Sequence, residues 1–480
     1  MTTIASIKKK LKDCYDLELR EFVIAEKSAC VFFLSTLVDN ALISSSIIEP
    51  LFKNLKKVNK SNIIENLYSK FISCGTSVIR LKNKNVYEEI MCGNAVIVID
   101  GEPEILSCAV QGYEKRAIVE PPTASVLKGP REGFIEDIST NISLIRRRIK
   151  SSDLVIKKYE IGRISKSAVA VIYMKDIADE KIVNQVTAKL KDIDIDGILD
   201  SYYIKELLGS SGSKLFTQFG DTERPDVAVS KIYEGRIAIV VDGSPFAITL
   251  PYFLMEDLQN ADDYYMHPTR ATVVRIIRLL GLFLSITLPG LYVAMQSFHS
   301  RVLPINFIMS LLSSVESLAF PPLIEILFVL FLFEILTEAS IRMPKHLGLA
   351  LSIIGALVLG DTAVQAGIIS PPAVMIVAIS GISLHIVPNQ LGTSTILRTI
   401  FTIIGGVSGF YGIIIGTIFL VGFLASIDNY GVGYLAPYAP SIENDKKDAI
   451  LKKGLKEMDT RPMSYTQHNK VRMSNGKTIK

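Results

Sequence analysis

The chain has 480 residues, of which 49% are apolar, and a formal net charge of +4. This small positive excess gives no indication of a nucleic-acid partner, and the length allows two to four domains. Charged residues are unevenly distributed, because only 12 of the 170 residues from 271 to 440 are Asp, Glu, Lys or Arg, against 88 of the other 310. The composition therefore predicts a water-soluble part followed by a membrane part.

The soluble part lacks the side chains most used in metal binding and acid–base catalysis. All five histidines lie at or after His267, and the five cysteines show no C-x-x-C spacing. No phosphate-binding loop and no G-x-G-x-x-G motif after a strand is present. We therefore expect no metal site, no cofactor and no enzyme activity. The first residues contain no apolar core of signal-peptide length, so this domain is expected to stay in the cytosol.

An internal repeat with an offset of about 140 residues runs through the soluble part. Each copy contains an apolar strand followed by an aspartate that opens a helix, and later a short helix, a strand and an Asp-Gly turn. Asp100 and Asp242 are interpreted as the residues of these turns and not as paired catalytic carboxylates. The sequence predicts two similar tandem α/β subdomains, residues 1–125 and 151–250, joined by a linker helix within 126–150.

Three consecutive arginines lie in the linker, at Arg146, Arg147 and Arg148. Such a run can bind phosphate or lipid head groups, form the solvated face of a helix, or pair with acids of a neighbouring chain. We treat the three as candidate subunit-interaction residues that meet acidic side chains of the next copy.

The membrane part follows an interfacial segment, 251–271, and is expected to occupy 272–440. Four spans are predicted, the first starting with Arg275 and Arg278, which can reach back to the cytosolic surface. The region 303–342 is interrupted by prolines and glutamates, so we expect it to be re-entrant or interfacial. The predicted spans lie at 272–296, 347–369, 372–388 and 396–426.

An even number of crossings keeps the soluble domain and the basic tail, 441–480, together in the cytosol. Alternatively, 396–426 forms a tight helical pair around its first glycines. The predicted fold is thus an α/β cytosolic domain made of two similar tandem subdomains, followed by an all-α polytopic membrane domain.

Two sets of residues are candidates for function inside the membrane. Asp361, Thr362 and Gln365 are expected to line a pore or cavity, because an ionisable group at membrane depth is costly unless it faces water or a partner. The alternative is that Asp361 lies at a helix end near the head groups. A second set of small residues would allow helices to pack closely, namely Gly405, Gly406, Gly409, Gly412 and Gly416.

Several motifs occur in order along the chain: GPREGF at 129–134, IDIDGI at 193–198, TERPD at 222–226, VDGSPF at 241–246, LPGLYV at 288–293 and YLAP at 434–437. Together they resemble the A subunit of the GerA-type spore germination receptors, and the resemblance runs from about residue 14 to about residue 455.

The resemblance implies a germinant receptor of the spore inner membrane. Family A subunits are thought to form homo-oligomers, with a pentamer as the expected number, that act as ligand-gated channels for monovalent cations. Their implied partners are a B-type transporter-like membrane subunit, which binds the germinant, and a C-type lipoprotein subunit, together with membrane lipid.

Two other functions remain open at the level of sequence. A secondary transporter for a nutrient or an ion would show saturable uptake and a central acidic site, for which Asp361 is the candidate. A membrane-anchored scaffold for receptor assembly would depend on its soluble domain and tolerate changes at Asp361 or at the glycines.

Overall fold

The computed structural model describes residues 3–54, 63–71, 78–82, 85–112, 128–209, 215–302, 320–342, 353, 355, 357–466 and 469–473. Within these residues the chain forms two five-stranded antiparallel sheets with their helices, then a helical region, then a C-terminal segment that packs back onto the second sheet.

The first sheet unit has strands in the order β1-β2-β4-β5-β3. Its elements are α1 Ile4–Lys10, β1 Leu17–Ile24, β2 Lys27–Leu34, α2 Asn40–Ile43, a π-helical turn Ser44–Ile48, α3 Glu49–Asn54, α4 Ile63–Asn66, a second π-helical turn Leu67–Phe71, β3 Val78–Lys82, α5 Val86–Met91, β4 Ala95–Ile99 and β5 Glu104–Cys108.

The second sheet unit has strands in the order β6-β7-β9-β10-β8, which is the same arrangement position by position. Its elements are α6 Ile138–Arg148, β6 Leu154–Ile161, β7 Ser167–Met174, α7 Glu180–Lys191, α8 Ser201–Leu208, β8 Gly220–Thr222, α9 Pro225–Tyr233, β9 Ile237–Val241 and β10 Ala247–Leu250.

Corresponding residues of the two units start and end corresponding helices. Asp39 accepts hydrogen bonds from the first backbone N–H groups of α2, and Asp179 does the same for α7. After α5 and α9 the chain turns at Gly93 and Gly235, whose φ angles of 85° and 98° favour glycine. The helix starts and helix ends expected from the repeat are therefore confirmed.

The two Asp-Gly pairs form turns, but they also have a role that the sequence did not show. In each pair only the glycine has a positive φ, and the loops are longer than the two-residue hairpin turns we expected. A carboxylate oxygen of Asp100 accepts a hydrogen bond from the backbone N–H of Ile4 at 3.1 Å, at the start of α1. In the same way, a carboxylate oxygen of Asp242 accepts a hydrogen bond from the backbone N–H of Ile138 at 3.3 Å, at the start of α6.

Both sheets are covered on their two faces. All five residues of β4 and all five of β9 are buried, so these central strands are continuous apolar runs without alternation. In the first unit, one face of the sheet packs on α2, α3 and α4 and the opposite face on α1 and α5. In the second unit, one face packs on α7 and α8 and the opposite face on α6 and α9.

The helical region begins after two 3₁₀ turns, Leu254–Leu258 and Ala261–Tyr265. By length and composition, two described helices could cross a membrane, Pro268–Ser297 and Pro388–Ser426. The α-helices of this region are α10 Pro268–Ser297, α11 Pro322–Arg342, α12 Ala363–Gln365, α13 Pro371–Leu384 and α14 Leu391–Ser426, with short 3₁₀ turns at Ser300–Val302 and Pro388–Gln390 and a π-helical turn at Val358–Thr362.

The longest helix, α14, is a pair of antiparallel arms. Gly409 has φ 63° and ψ −152°, which breaks the helix. A methyl group placed on Gly416 would lie 3.5 Å from Cδ1 of Ile404, whereas residues 12 apart in a straight helix are about 18 Å apart. The alternative of a tight helical pair therefore describes this region, with Gly409 at its corner and about 27 Å in each arm.

Helix α11 lies within the region 303–342, and the re-entrant or interfacial position expected for that region stays a prediction. Its 21 residues form one continuous helix, about 31 Å long, with Pro322 at the first position, where proline is favoured. Residues 303–319 lie outside the described part, as do eight of the 23 residues of the expected span 347–369. The expected span 372–388 corresponds to α13, which has 14 residues and is shorter than a hydrocarbon core of about 30 Å.

The described residues of the expected basic tail, 441–466 and 469–473, are part of the fold. Two short strands, β11 Asp428–Asn429 and β12 Val432–Gly433, lead into it, and it contains 3₁₀ turns at Asp445–Lys447 and Leu455–Glu457. Tyr465 is 2% exposed and stacks on Phe253, with ring centroids 6.1 Å apart.

Candidate functional site

The three linker arginines contact acids of their own chain. Arg146 is completely buried, and its guanidinium donates two hydrogen bonds, of 2.7 and 3.1 Å, to the carboxylate of Asp16. The expectation that Arg146 meets an acid of the next copy is thus corrected. The physical cause is that Arg146 lies at the end of α6 that faces the first sheet unit, so its pair with Asp16 ties the two units together. Arg148 pairs with Glu132, and Arg147 lies 3.9 Å from the same carboxylate.

Asp361, Thr362 and Gln365 lie together at the π-helical turn and the single turn of α12. All three are exposed in the single chain, and the Gln365 amide donates a hydrogen bond to the Asp361 carboxylate. A carboxylate on an apolar helical surface needs water or another chain beside it. These residues are therefore available for contacts outside the chain itself.

The five glycines have three different structural roles. A methyl group added to Gly405 would lie 2.3 Å from the backbone oxygen of Gly290 on α10. A methyl group added to Gly406 would lie 2.7 Å from a methyl carbon of Leu323 on α11. Gly405 thus allows two helices to cross with their backbones in contact. Gly409 is the corner of α14, and Gly412 and Gly416 face the first arm of the same helix.

A buried hydrogen-bond network joins the soluble region to both ends of α14. The carboxylate of Asp257 accepts hydrogen bonds from the hydroxyl of Tyr252 and from the amide of Gln390, the latter at 2.7 Å. Gln390 directly precedes α14 and also donates to the hydroxyl of Tyr434, at 3.2 Å. Asn429, just after α14, donates to the backbone oxygen of Tyr252 at 2.8 Å.

Burial is the main influence on Asp257 and raises the pKa of its carboxyl to about 6, against the lowering effect of the hydrogen bonds from Tyr252 and Gln390. Asp257, Gln390, Tyr252 and Tyr434 are at most 7% exposed. We call these four residues and Asn429 the α14 junction.

A second junction holds the start of α10. Arg275 and Arg278 do not extend to a surface as we expected, because both donate hydrogen bonds to the buried carboxylate of Asp263. Arg275 also bonds to Asp448 of the C-terminal segment, at 2.9 Å, and to the backbone oxygen of Ala449. The helices and both soluble segments are thus fixed together at one end of the helical region.

Between the second sheet and the 3₁₀ turns lies a polar cavity of about 170 Å³. Lys231 and Arg236 line it and both pair with the carboxylate of Glu256, which is 5% exposed. Glu234 lies on the same wall and is 3.8 Å from Arg236. The charges of this cavity are therefore matched within the chain.

The sequence analysis did not identify the acidic residues of either junction. Asp257, Asp263 and Asp448 stand in short polar stretches that resemble ordinary loop sequence. One signal was present for Asp263, which directly precedes Tyr264 and Tyr265 and lies a few residues before a long apolar helix. Pairing across more than 130 residues, as between Asp257 and Gln390, cannot be inferred from local spacing.

Comparisons with known proteins agree with the motifs. Residues 5–464 match the family described as Bacillus/Clostridium GerA spore germination protein. Spore germination protein KA of Bacillus subtilis (strain 168) is 38% identical over 474 residues, which is 98% of this chain and 87% of that protein. The membrane protein YfkQ of the same strain is 33% identical, over 95% of this chain and 89% of its own length.

A solved structure is also similar to part of the chain. It is the crystal structure of the N-terminal domain of the A subunit of the Bacillus megaterium spore germinant receptor GerK3, with 32% sequence identity and a TM-score of 0.41. The match covers 52% of this chain and 92% of that structure. With the family match over nearly its whole length, the chain belongs to the GerA family of spore germination proteins.

Proposed function

We propose that the chain is the A subunit of a nutrient germinant receptor and that its copies assemble into a ligand-gated channel for monovalent cations. The two sheet units act as tandem subdomains that receive the signal and transmit it to the helices. Its partners are further copies of itself, a B-type transporter-like subunit and a C-type lipoprotein subunit, in the spore inner membrane.

The observation that carries this proposal is the α14 junction. Gln390 at one end of α14 and Asn429 at the other are both bonded to the segment that follows the second sheet. A displacement of that segment therefore acts on both arms of a glycine-rich helical pair at once. A domain that merely anchored the protein would not require buried polar contacts with both arms.

The membrane topology that we propose has an even number of crossings. Arg275 at the start of α10 pairs with Asp448 in the C-terminal segment, which supports placing the two soluble segments at the same end of the helices. Helix α10 and the two arms of α14 are among the proposed crossings. We propose that both soluble segments are cytosolic.

Asp361, Thr362 and Gln365 are proposed to line the pore or a cavity connected to it. Their exposure in the single chain and the polar pair between Asp361 and Gln365 support this role. Gly405 and the other four glycines are proposed to maintain the helix packing that surrounds the path.

Planar bilayers containing the purified chain with its partner subunits test the proposal. Germinant should evoke a current carried by monovalent cations, and native gels or mass photometry should show several copies of this chain in each complex. Saturable uptake into vesicles without such a current would instead support a secondary transporter. A monomeric chain without current would contradict the channel.

A further inference from the structure

Buried polar atoms without a partner are concentrated in one part of the helical region. Among the described residues, 11 buried side-chain nitrogen or oxygen atoms have no hydrogen-bond partner. Four of them belong to residues near the end of α10 and in the first turn of α11, namely Tyr292, Gln296, His299 and Glu325. Such atoms cost free energy in an apolar interior, so their grouping requires an explanation.

Glu325 is the charged member of this group. It lies in the first turn of α11 and is 1% exposed. One carboxylate oxygen, Oε1, accepts a hydrogen bond from the backbone N–H of Ser370 at 2.6 Å. The other oxygen, Oε2, has no partner within the described part of the chain. A buried carboxylate that is half satisfied needs a donor or a cation at its second oxygen.

Tyr292 packs in the same cluster as Ile326 of α11 and Ile369, the neighbours in sequence of Glu325 and Ser370, and its hydroxyl interacts electrostatically with Glu325. It is 4% exposed, and its hydroxyl forms no hydrogen bond of good geometry with a described residue, although the side chain of Ser370 is close to it. Gln296 follows Tyr292 at a spacing of four residues, which places it on the same face of α10, and His299 lies just beyond the end of that helix.

The chemistry of these atoms indicates what they bind. The orphaned atoms of Glu325 and Gln296 are acceptors, a neutral imidazole can present its Nδ1 as an acceptor, and the hydroxyl of Tyr292 can accept. Their missing partner is therefore a donor or a cation. One carboxylate with neutral oxygens balances one positive charge, and no cluster of three or more His, Cys, Asp or Glu in the described ranges suits a transition metal.

We propose that Glu325 and Tyr292 form a binding site for a small monovalent cation between α10, α11 and the start of α13. Oε2 of Glu325 and the hydroxyl of Tyr292 act as ligands, and the backbone N–H of Ser370 fixes the orientation of the carboxylate. The site adds a cation-binding position to the proposed channel function. It rests on that function in one respect, because a cation must be able to reach this depth.

The experiment measures cation binding by the purified full chain in lipid nanodiscs. Choline chloride is replaced stepwise by KCl, NaCl or RbCl at constant ionic strength, and the melting temperature is recorded. The wild-type chain should gain stability from at least one of these cations, and the gain should saturate, because a ligand of the folded state stabilises it by mass action. Glu325→Gln should abolish this response.

A matched control is Glu338→Gln, which changes an exposed glutamate of the same helix that pairs with Arg342. This variant should respond to cations as the wild type does. Tyr292→Phe should fold and require a higher cation concentration for half of the response, which keeps the test decisive if Glu325→Gln does not fold.

Three outcomes would overturn the site: a wild-type chain that responds to none of the cations, a Glu325→Gln variant that still responds, or an unchanged midpoint in Tyr292→Phe. Because the readout is binding, absence of channel current would refute the proposed function without refuting the site. If the binding measurements refute the site, the channel function is still tested separately by its current.

Discussion

Replacing Asp257 by asparagine should remove a pH-dependent loss of stability from the α14 junction. Burial raises the pKa of the Asp257 carboxyl to about 6, whereas an ordinary aspartate in an unfolded chain has a pKa of about 3.9. Asparagine keeps an acceptor for the hydroxyl of Tyr252. The amide of Gln390 can reverse to accept a hydrogen bond from the new NH₂ group.

The direction in which stability changes with pH follows from whether the folded or the unfolded chain binds the proton. Between about pH 4 and pH 6 the folded chain holds a proton on Asp257 that the unfolded chain has released, so stability falls as the pH rises through this window. A difference of about 2 pKa units at about 1.4 kcal/mol per unit gives about 3 kcal/mol. This loss is complete above the folded-state pKa and absent below about pH 4.

The assay compares melting temperatures of the full chain between pH 4.5 and pH 7.5 for the wild type, Asp257→Asn and Asp176→Asn. Asp176 is an exposed aspartate and serves as the control. The advantage of Asp257→Asn over the wild type should grow by a few degrees as the pH rises, and Asp176→Asn should run parallel to the wild type. An advantage that does not change with pH would refute the reasoning.

Three other changes test the packing. Arg146→Met should lower the free energy of unfolding by about 3–5 kcal/mol in urea titrations, because it leaves the buried Asp16 unpaired, and the double variant with Asp16→Leu should recover most of the loss. Gly405→Ala should lower the melting temperature because its methyl group meets backbone of α10, whereas Gly422→Ala, which meets nothing within 4 Å, should not. Tyr465→Ala should cost about 3 kcal/mol and speed proteolysis of residues 441–466; an unchanged cleavage rate would show that the segment is held by other contacts.

Local sequence patterns were sufficient for the parts of the fold that depend on neighbouring residues. Asp39 and Asp179 precede apolar helices and cap them, and Gly93 and Gly235 end helices because only glycine adopts that backbone conformation easily. The repeated motifs led to two sheets, and both have the same strand order.

Contacts between distant residues were not predictable in the same way. Arg146 belongs to a run of three arginines, which is typical of a solvated helix face. Its partner Asp16, however, lies 130 residues earlier in the chain, and the pair is removed from solvent. The corner at Gly409 was one of two alternatives, since a glycine-rich apolar run fits a long span and a tight pair equally well. The carboxylate of Asp257 shows no feature in sequence, because its properties come from burial against a helix that starts over 130 residues later.

The most direct test of coupling between the soluble region and the cation path is the germinant-dependent current of the complete receptor in planar bilayers, recorded for Gln390→Leu and Gln185→Leu. Gln185 lies on the exposed face of α7, so its substitution should leave the current unchanged. Gln390→Leu breaks the bond to Asp257 and should abolish the response to germinant while complex assembly persists. Equal currents from the two variants would contradict the coupling.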